Sequence, residues 1–179
     1  MRQTTSRVVL PVAAAALSIC AAQPNAGESV VAAQAFFSPA QETAILELCR
    51  TAQATGDVFA AFAHGALPHM TLASWIVPAD AVDKVVARAR AATAAVTQVR
   101  LTLTLKAEPA VRAGYLDYQF VPDATPELLA FHQAMHTAMA VSYQPQRRID
   151  LPGSWQPHIS LFTAPAAASN ALATVLQQL

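Results

Sequence analysis

The chain has 179 residues, 54% of them hydrophobic and only 12% charged, with 11 basic and 11 acidic side chains. That length suits a single core, and that composition lies far from the low-hydrophobicity, high-charge signature of a disordered chain. The balanced charge excludes a broad basic field, so binding along a long nucleic acid, which needs such a field to release counterions, is not expected.

The first 22 residues read as an export signal: Arg2 and Arg7 flank a polar start, Val8 to Ile19 is apolar, and the small residues Ala21 and Ala22 follow. The apolar run is too short to span a bilayer, so the mature chain is expected to have no membrane span and to be periplasmic or secreted. Leu17-Ser18-Ile19-Cys20 offers a lipid anchor at Cys20 as the other reading of the segment, although Ile19 stands where a lipoprotein box carries a small residue. Loss of residues 1–22 removes Arg2 and Arg7 and no acid, leaving 9 basic against 11 acidic residues and a net charge of about −2. It also leaves Cys49 without a partner for an internal disulfide. A small phosphate ester or an oligonucleotide end suits such a surface better than a polyanion.

Residues 28–179 then read as one domain. VVAAQAFF (30–37) is a strand, and Ser38, Pro39 and Gln41 form a helix start with a capping box. Ile45, Leu48, Cys49 and Ala52 recur at helical spacing, and Gly56 is the stop. LPHMTLASWIV (67–77) reads as a strand opened by Pro68, and a helix follows from Asp80 with Val82, Val85, Val86 and Ala89 on one face. VRLTLTLK (99–106) has the clearest period-two alternation, and YLDYQFV (115–121), set off by Gly114, is its antiparallel neighbour. Thr125 and Pro126 open a third helix to about Ala140, striped by Leu128, Phe131, Met135 and Met139. A Pro-, Gln- and Arg-rich loop (143–156) leads into the strand PHISLF (157–162), and residues 166–178 close with a helix. This order is α+β with two similar halves.

The halves become specific where PHMTL (68–72) is set against PHISL (157–161): both read Pro, His, apolar, hydroxyl, Leu, with the histidines 89 residues apart. Strand alternation puts His69 with Thr71, and His158 with Ser160, on one face, each pair about 7 Å apart by strand rise, while Met70, Leu72, Ile159 and Leu161 anchor the other. If the two strands lie side by side, one neutral imidazole takes a proton from attacking water and one protonated imidazole gives a proton to a departing sugar oxygen. Histidine suits both roles because its ordinary pKa is about 6.5. Thr71 and Ser160 can hydrogen-bond the non-bridging phosphate oxygens, and the scheme needs no metal and no cofactor.

With these paired motifs the chain resembles the two-histidine (2H) phosphoesterase superfamily, including the LigT-like 2',3'-cyclic phosphodiesterases long described as 2'-5' RNA ligases. The resemblance rests on His69-Met70-Thr71, His158-Ile159-Ser160 and the element order over residues 28–179. It implies a two-lobed, pseudo-symmetric fold with antiparallel sheets flanked by helices and a central cleft. It also implies hydrolysis of a 2',3'-cyclic phosphate on a nucleotide or RNA end by a monomer, with His69 and His158 as acid and base. The export signal departs from relatives that act on RNA inside the cell, which bears on the substrate more than on the chemistry. The alternatives are 2'-5' ligation of RNA ends, which uses the same groups in reverse, and a non-catalytic nucleotide-binding envelope protein, which would need no matched acid and base.

Lesser candidates surround this pair. Trp75 shares strand parity with His69 and Thr71, and Phe162 with His158 and Ser160, so either could stack on a nucleobase, against the alternative of core packing. Arg147 and Arg148 precede the second motif and could clamp phosphate, or could be solvated surface charges. His132 and His136 have the i, i+4 spacing of a zinc pair, but Gln133 stands where a metalloprotease helix has its glutamate; His132 lies beside the apolar stripe and His136 at its margin, so packing or surface exposure accounts for both. His64 reads as a loop residue.

Overall fold

The computed structural model describes residues 7–13, 16–18, 27–62, 66–94, 98–139, 144–145 and 150–176. In chain order these give β1 (Arg7–Ala13), β2 (Ala16–Ser18), β3 (Glu28–Phe36), α1 (Pro39–Gln53), β4 (Phe59–Ala60), β5 (His69–Pro78) and α2 (Val82–Thr93). There follow β6 (Gln98–Pro109), β7 (Tyr115–Pro122), α3 (Pro126–Met139), β8 (Gln144–Pro145), β9 (Ile159–Pro165) and α4 (Ser169–Leu176). The starts of α1 and α3 are those the sequence encodes, whereas α2 begins at Val82 rather than Asp80 and α4 at Ser169 rather than Ala166, each after a 3₁₀ turn. At α1, the Gln41 backbone N–H donates to Ser38 Oγ at 3.4 Å while the Ser38 N–H donates to Gln41 Oε1 at 3.0 Å, the reciprocal box that satisfies two orphan donors. At α3, the Leu128 N–H donates to Thr125 Oγ1 at 3.3 Å.

The strands form two sheets, ordered β1-β6-β7-β9-β4 and β2-β3-β5-β8, and every pairing among the described residues is antiparallel. Among the described residues the architecture is therefore mixed α+β with four α-helices and two antiparallel sheets. Helices α2 and α3 pack on each other and against β5 of the four-stranded sheet, whereas α1 packs on α4 and against β4 and β9 of the five-stranded one. Both layers share one buried cluster that runs from Val31 and Trp75 through Leu101 and Phe120 to Ile159 and Leu172. The expected stripes of α1 (Ile45, Leu48, Cys49, Ala52) and α3 (Leu128, Phe131, Met135, Met139) lie in it, and of the α2 stripe Val85 and Ala89 do, with Val82 packed against it.

Each motif strand is held at its far end by the same device. Pro78 ends β5, a 3₁₀ turn (Ala79–Ala81) follows, and the Ala79 N–H donates to the Gly27 carbonyl at 3.0 Å. Pro165 ends β9, a 3₁₀ turn (Ala166–Ala168) follows, and the Ala166 N–H donates to the Gly114 carbonyl at 2.8 Å. Gly27 and Gly114 have φ of 87° and 81°, a region costly for any residue with a Cβ.

Three differences from the sequence reading concern local order. The two-residue strands β4 and β8 fall in stretches read as loops, because two residues cannot display a period. Within the segment read as a leader, β1 lies along β6 and β2 along β3 as outermost strands, while Cys20 and Ala22 lie outside the described residues. The last strand begins at Ile159, one residue after His158, rather than at Pro157. No helix among the described residues is long and apolar enough to cross a membrane.

Candidate active site

His69 opens β5 and His158 immediately precedes β9, each after a buried proline. Proline fixes its own φ and holds the residue before it extended, so the carbonyl two positions before each histidine has a set direction. Both rings use it. His69 Nδ1 lies 2.8 Å from the Leu67 carbonyl oxygen, and His158 Nδ1 lies 2.9 Å from that of Gln156. A carbonyl only accepts, so Nδ1–H donates in each ring and Nε2 is left free to exchange a proton.

The alternation expected of the motifs is present. His69 and Thr71 are half-buried while Met70 and Leu72 are 1% and 0% exposed; His158 is half-buried and Ser160 exposed while Ile159 and Leu161 are fully buried. The two motif strands belong to different sheets, yet their Cα atoms approach within 8 Å. A side chain ties them as well: Trp155 Nε1, just before the second motif, donates to the Thr71 carbonyl at 3.3 Å. The Phe36 ring, cross-strand from His69, packs on it with centroids 6.0 Å apart.

Immediately past each motif the register slips. Gln34 pairs with Thr71 and Ala33 with Ala73, leaving Leu72 unpaired; Gln119 pairs with Ser160 and Tyr118 with Phe162, leaving Leu161 unpaired. Each is a one-residue β-bulge, and a bulge reverses the facing of everything beyond it. This corrects the reading of Trp75 and Phe162 as nucleobase contacts. Trp75 is 1% exposed and packs on the His136 ring at 5.7 Å; Phe162 is 2% exposed and stacks on Tyr118 at 4.8 Å. Both are core residues, the alternative the sequence had left beside stacking. Arg147, Arg148 and His64 lie outside the described residues.

His132 and His136 are 2% and 5% exposed and belong to a buried network that the sequence did not reveal. His132 Nε2 lies 2.9 Å from the Asp150 carbonyl oxygen and therefore donates to it; the Asp150 carboxylate accepts from Ser74 Oγ at 2.7 Å; and Trp155 stacks flat on His132 at 3.9 Å. Burial first, and then the neighbouring His136, push the His132 pKa down to about 4; burial also lowers that of His136. Among the described residues no group of three or more His, Cys, Asp or Glu is arranged to hold a metal ion. Asp150 had no sequence signal, because an isolated acid in a Pro-rich stretch looks like any loop residue. Cys49 is buried as expected: its thiol donates to the Leu161 carbonyl at 3.5 Å, and burial pushes its pKa up to about 11.

The arrangement thus presents two imidazoles with free Nε2 atoms and two hydroxyls, carried on strands that approach each other. No family model matches the chain, and no curated protein does.

Proposed function

We propose that the protein is a two-histidine phosphoesterase that hydrolyses 2',3'-cyclic phosphates of nucleotides or RNA ends. The observation that carries this reading is the matched commitment of Nδ1 in His69 and His158 to a carbonyl across a proline. Such a bond fixes the tautomer and aims Nε2, which a general acid or base requires and an incidental strand histidine does not. In the forward reaction the water oxygen attacks phosphorus, and its proton passes to Nε2 of one imidazole. The bond from phosphorus to one sugar oxygen breaks, and that oxygen takes the Nε2 proton of the other imidazole. Thr71 Oγ1 and Ser160 Oγ donate to the non-bridging oxygens.

On this proposal the fold is the pseudo-symmetric, two-lobed one with a central cleft. Supporting it, β5 and β9 each carry a motif, a bulge at the following leucine, a terminal proline and a 3₁₀ turn bonded to a glycine carbonyl. Export with cleavage near Ala22 belongs to the same proposal; it would remove only outermost strands and neither motif.

The test is incubation of the purified chain with the four 2',3'-cyclic nucleotides and a short RNA ending in a cyclic phosphate, with products read by phosphorus NMR and mass spectrometry. Ring opening to a single monophosphate isomer is expected. A chain that leaves every cyclic phosphate intact contradicts the proposal.

A further inference from the structure

The register of the two sheets sets a glutamine against each motif hydroxyl: Gln34 of β3 is the Cα partner of Thr71, and Gln119 of β7 is the Cα partner of Ser160. Directly opposed residues of an antiparallel pair project from the same face, with Cβ atoms roughly 4.5 to 5.5 Å apart. Both glutamines sit at the last paired position before the bulge, so each shares a face with its hydroxyl and histidine rather than with the core.

Gln34 is an anomalous residue for its strand. It is the one polar side chain in the apolar run VVAAQAFF and only 6% of its surface is exposed, yet its carboxamide makes no hydrogen bond to a described residue. Its polar atoms are not sealed off, since the only fully buried and unpartnered side-chain atom among the described residues is His136 Nε2. Burying an amide without a partner costs about 1 to 3 kcal/mol, so a donor left available on the face that carries Thr71 and His69 calls for a ligand as its partner. The charge balance of the site points the same way. The sequences of β3, β5, β7 and β9 contain no lysine or arginine, so what these strands themselves offer to the charge developing on a phosphoryl group is imidazole and neutral donors.

We infer that Gln34 and Gln119 are phosphate-binding residues whose carboxamide N–H groups donate, beside Thr71 and Ser160, to the non-bridging oxygens of a phosphodiester. The inference rests on the proposed phosphoesterase reading and extends it: the site is two sets of imidazole, hydroxyl and carboxamide, selective for a monoanionic phosphodiester.

The experiment compares wild type with Gln34→Leu, Gln119→Leu, Gln34→Glu, Gln119→Glu and His69→Ala. Turnover of a 2',3'-cyclic nucleotide is measured, along with calorimetric affinity for a nucleoside 2'-monophosphate and for inorganic phosphate. Each leucine variant is expected to lose about 10- to 100-fold in kcat/KM, by analogy with removal of an oxyanion donor. The isosteric glutamates are expected to lose more, and all four to bind phosphate more weakly. Sulfur in place of one non-bridging oxygen should slow the wild type more than the leucine variant that has lost the donor to that oxygen, a signature that altered packing alone does not give. Because Gln119 is half-buried, its variants carry the test should Gln34→Leu fail to fold. Wild-type turnover and phosphate affinity in both leucine variants, with His69→Ala inactive, would overturn the inference and leave the phosphoesterase reading standing. A wild type that binds phosphates without hydrolysing any would overturn that reading alone, the glutamine variants still deciding the inference by affinity. A wild type that binds neither ligand would overturn both.

Discussion

A neutral imidazole has one donor and one acceptor nitrogen, and at His69 and His158 the backbone takes the donor. What remains for chemistry is one nitrogen per ring, with neutral hydroxyls beside it. The hydroxyls are therefore expected to matter less than the imidazoles: Thr71→Ala and Ser160→Ala should each lower kcat by roughly 3- to 10-fold, the worth of one net hydrogen bond, with proton transfer intact. Steady-state kinetics on a cyclic nucleotide checks this. Trp75 and Phe162 should behave in the opposite way. Trp75→Ala is expected to cost about 3 to 5 kcal/mol in urea unfolding, as for a large core truncation, with its main effect on stability rather than on proton transfer. Their facing was misjudged because a bulge leaves no mark in residue type: Leu72 and Leu161 are apolar whether paired or not.

Among the elements, α3 does more than cover a sheet. His132 donates to the Asp150 carbonyl and stacks on Trp155, and Trp155 donates to Thr71, so one helix residue helps seat the segment leading into His158 against the strand carrying His69. The lowered His132 pKa has a consequence for stability. With a folded pKa of about 4 against an ordinary 6.5, the unfolded chain binds more protons between those values. The contribution is fully present above about pH 6.5 and is lost as pH falls toward 4, by on the order of 2 to 3 kcal/mol. Urea titrations at pH 7, 5.5 and 4.5 should show this decline, and His132→Phe, which keeps a ring over Trp155 but cannot titrate, should flatten that part of it. The starts of α1 and α3 were legible because side-chain caps are local signals, as Ser38 and Gln41 illustrate; α2 and α4, which open through 3₁₀ turns, begin later than their sequences suggest. The buried role of His136 was not, since helical spacing alone cannot separate the margin of a stripe from its interior.

For the whole molecule, the alternating and apolar runs around residues 99–106 and 157–162 disclosed the α+β class, but not which strands share a sheet. That partition depends on long-range registers such as β7 with β9, which no local window contains. It also hides which residues oppose the motifs, so Gln34, though visible as the one polar residue of VVAAQAFF, could not be set against Thr71, nor Gln119 against Ser160. The proposed export has its own check: envelope-fraction protein should lack residues 1–22 by intact mass. On the proposed mechanism, in which imidazoles and hydroxyls supply proton transfer and phosphate binding, activity is expected to persist in EDTA. The most direct measurement is kcat for His69→Ala, His158→Ala and the double variant on a 2',3'-cyclic nucleotide, with folding verified by circular dichroism. Each single change is expected to cost on the order of 10² to 10⁴, and the double change far less than the product of the two, because an acid and a base act as a unit. Near-normal turnover by either folded single variant would contradict the two-histidine account.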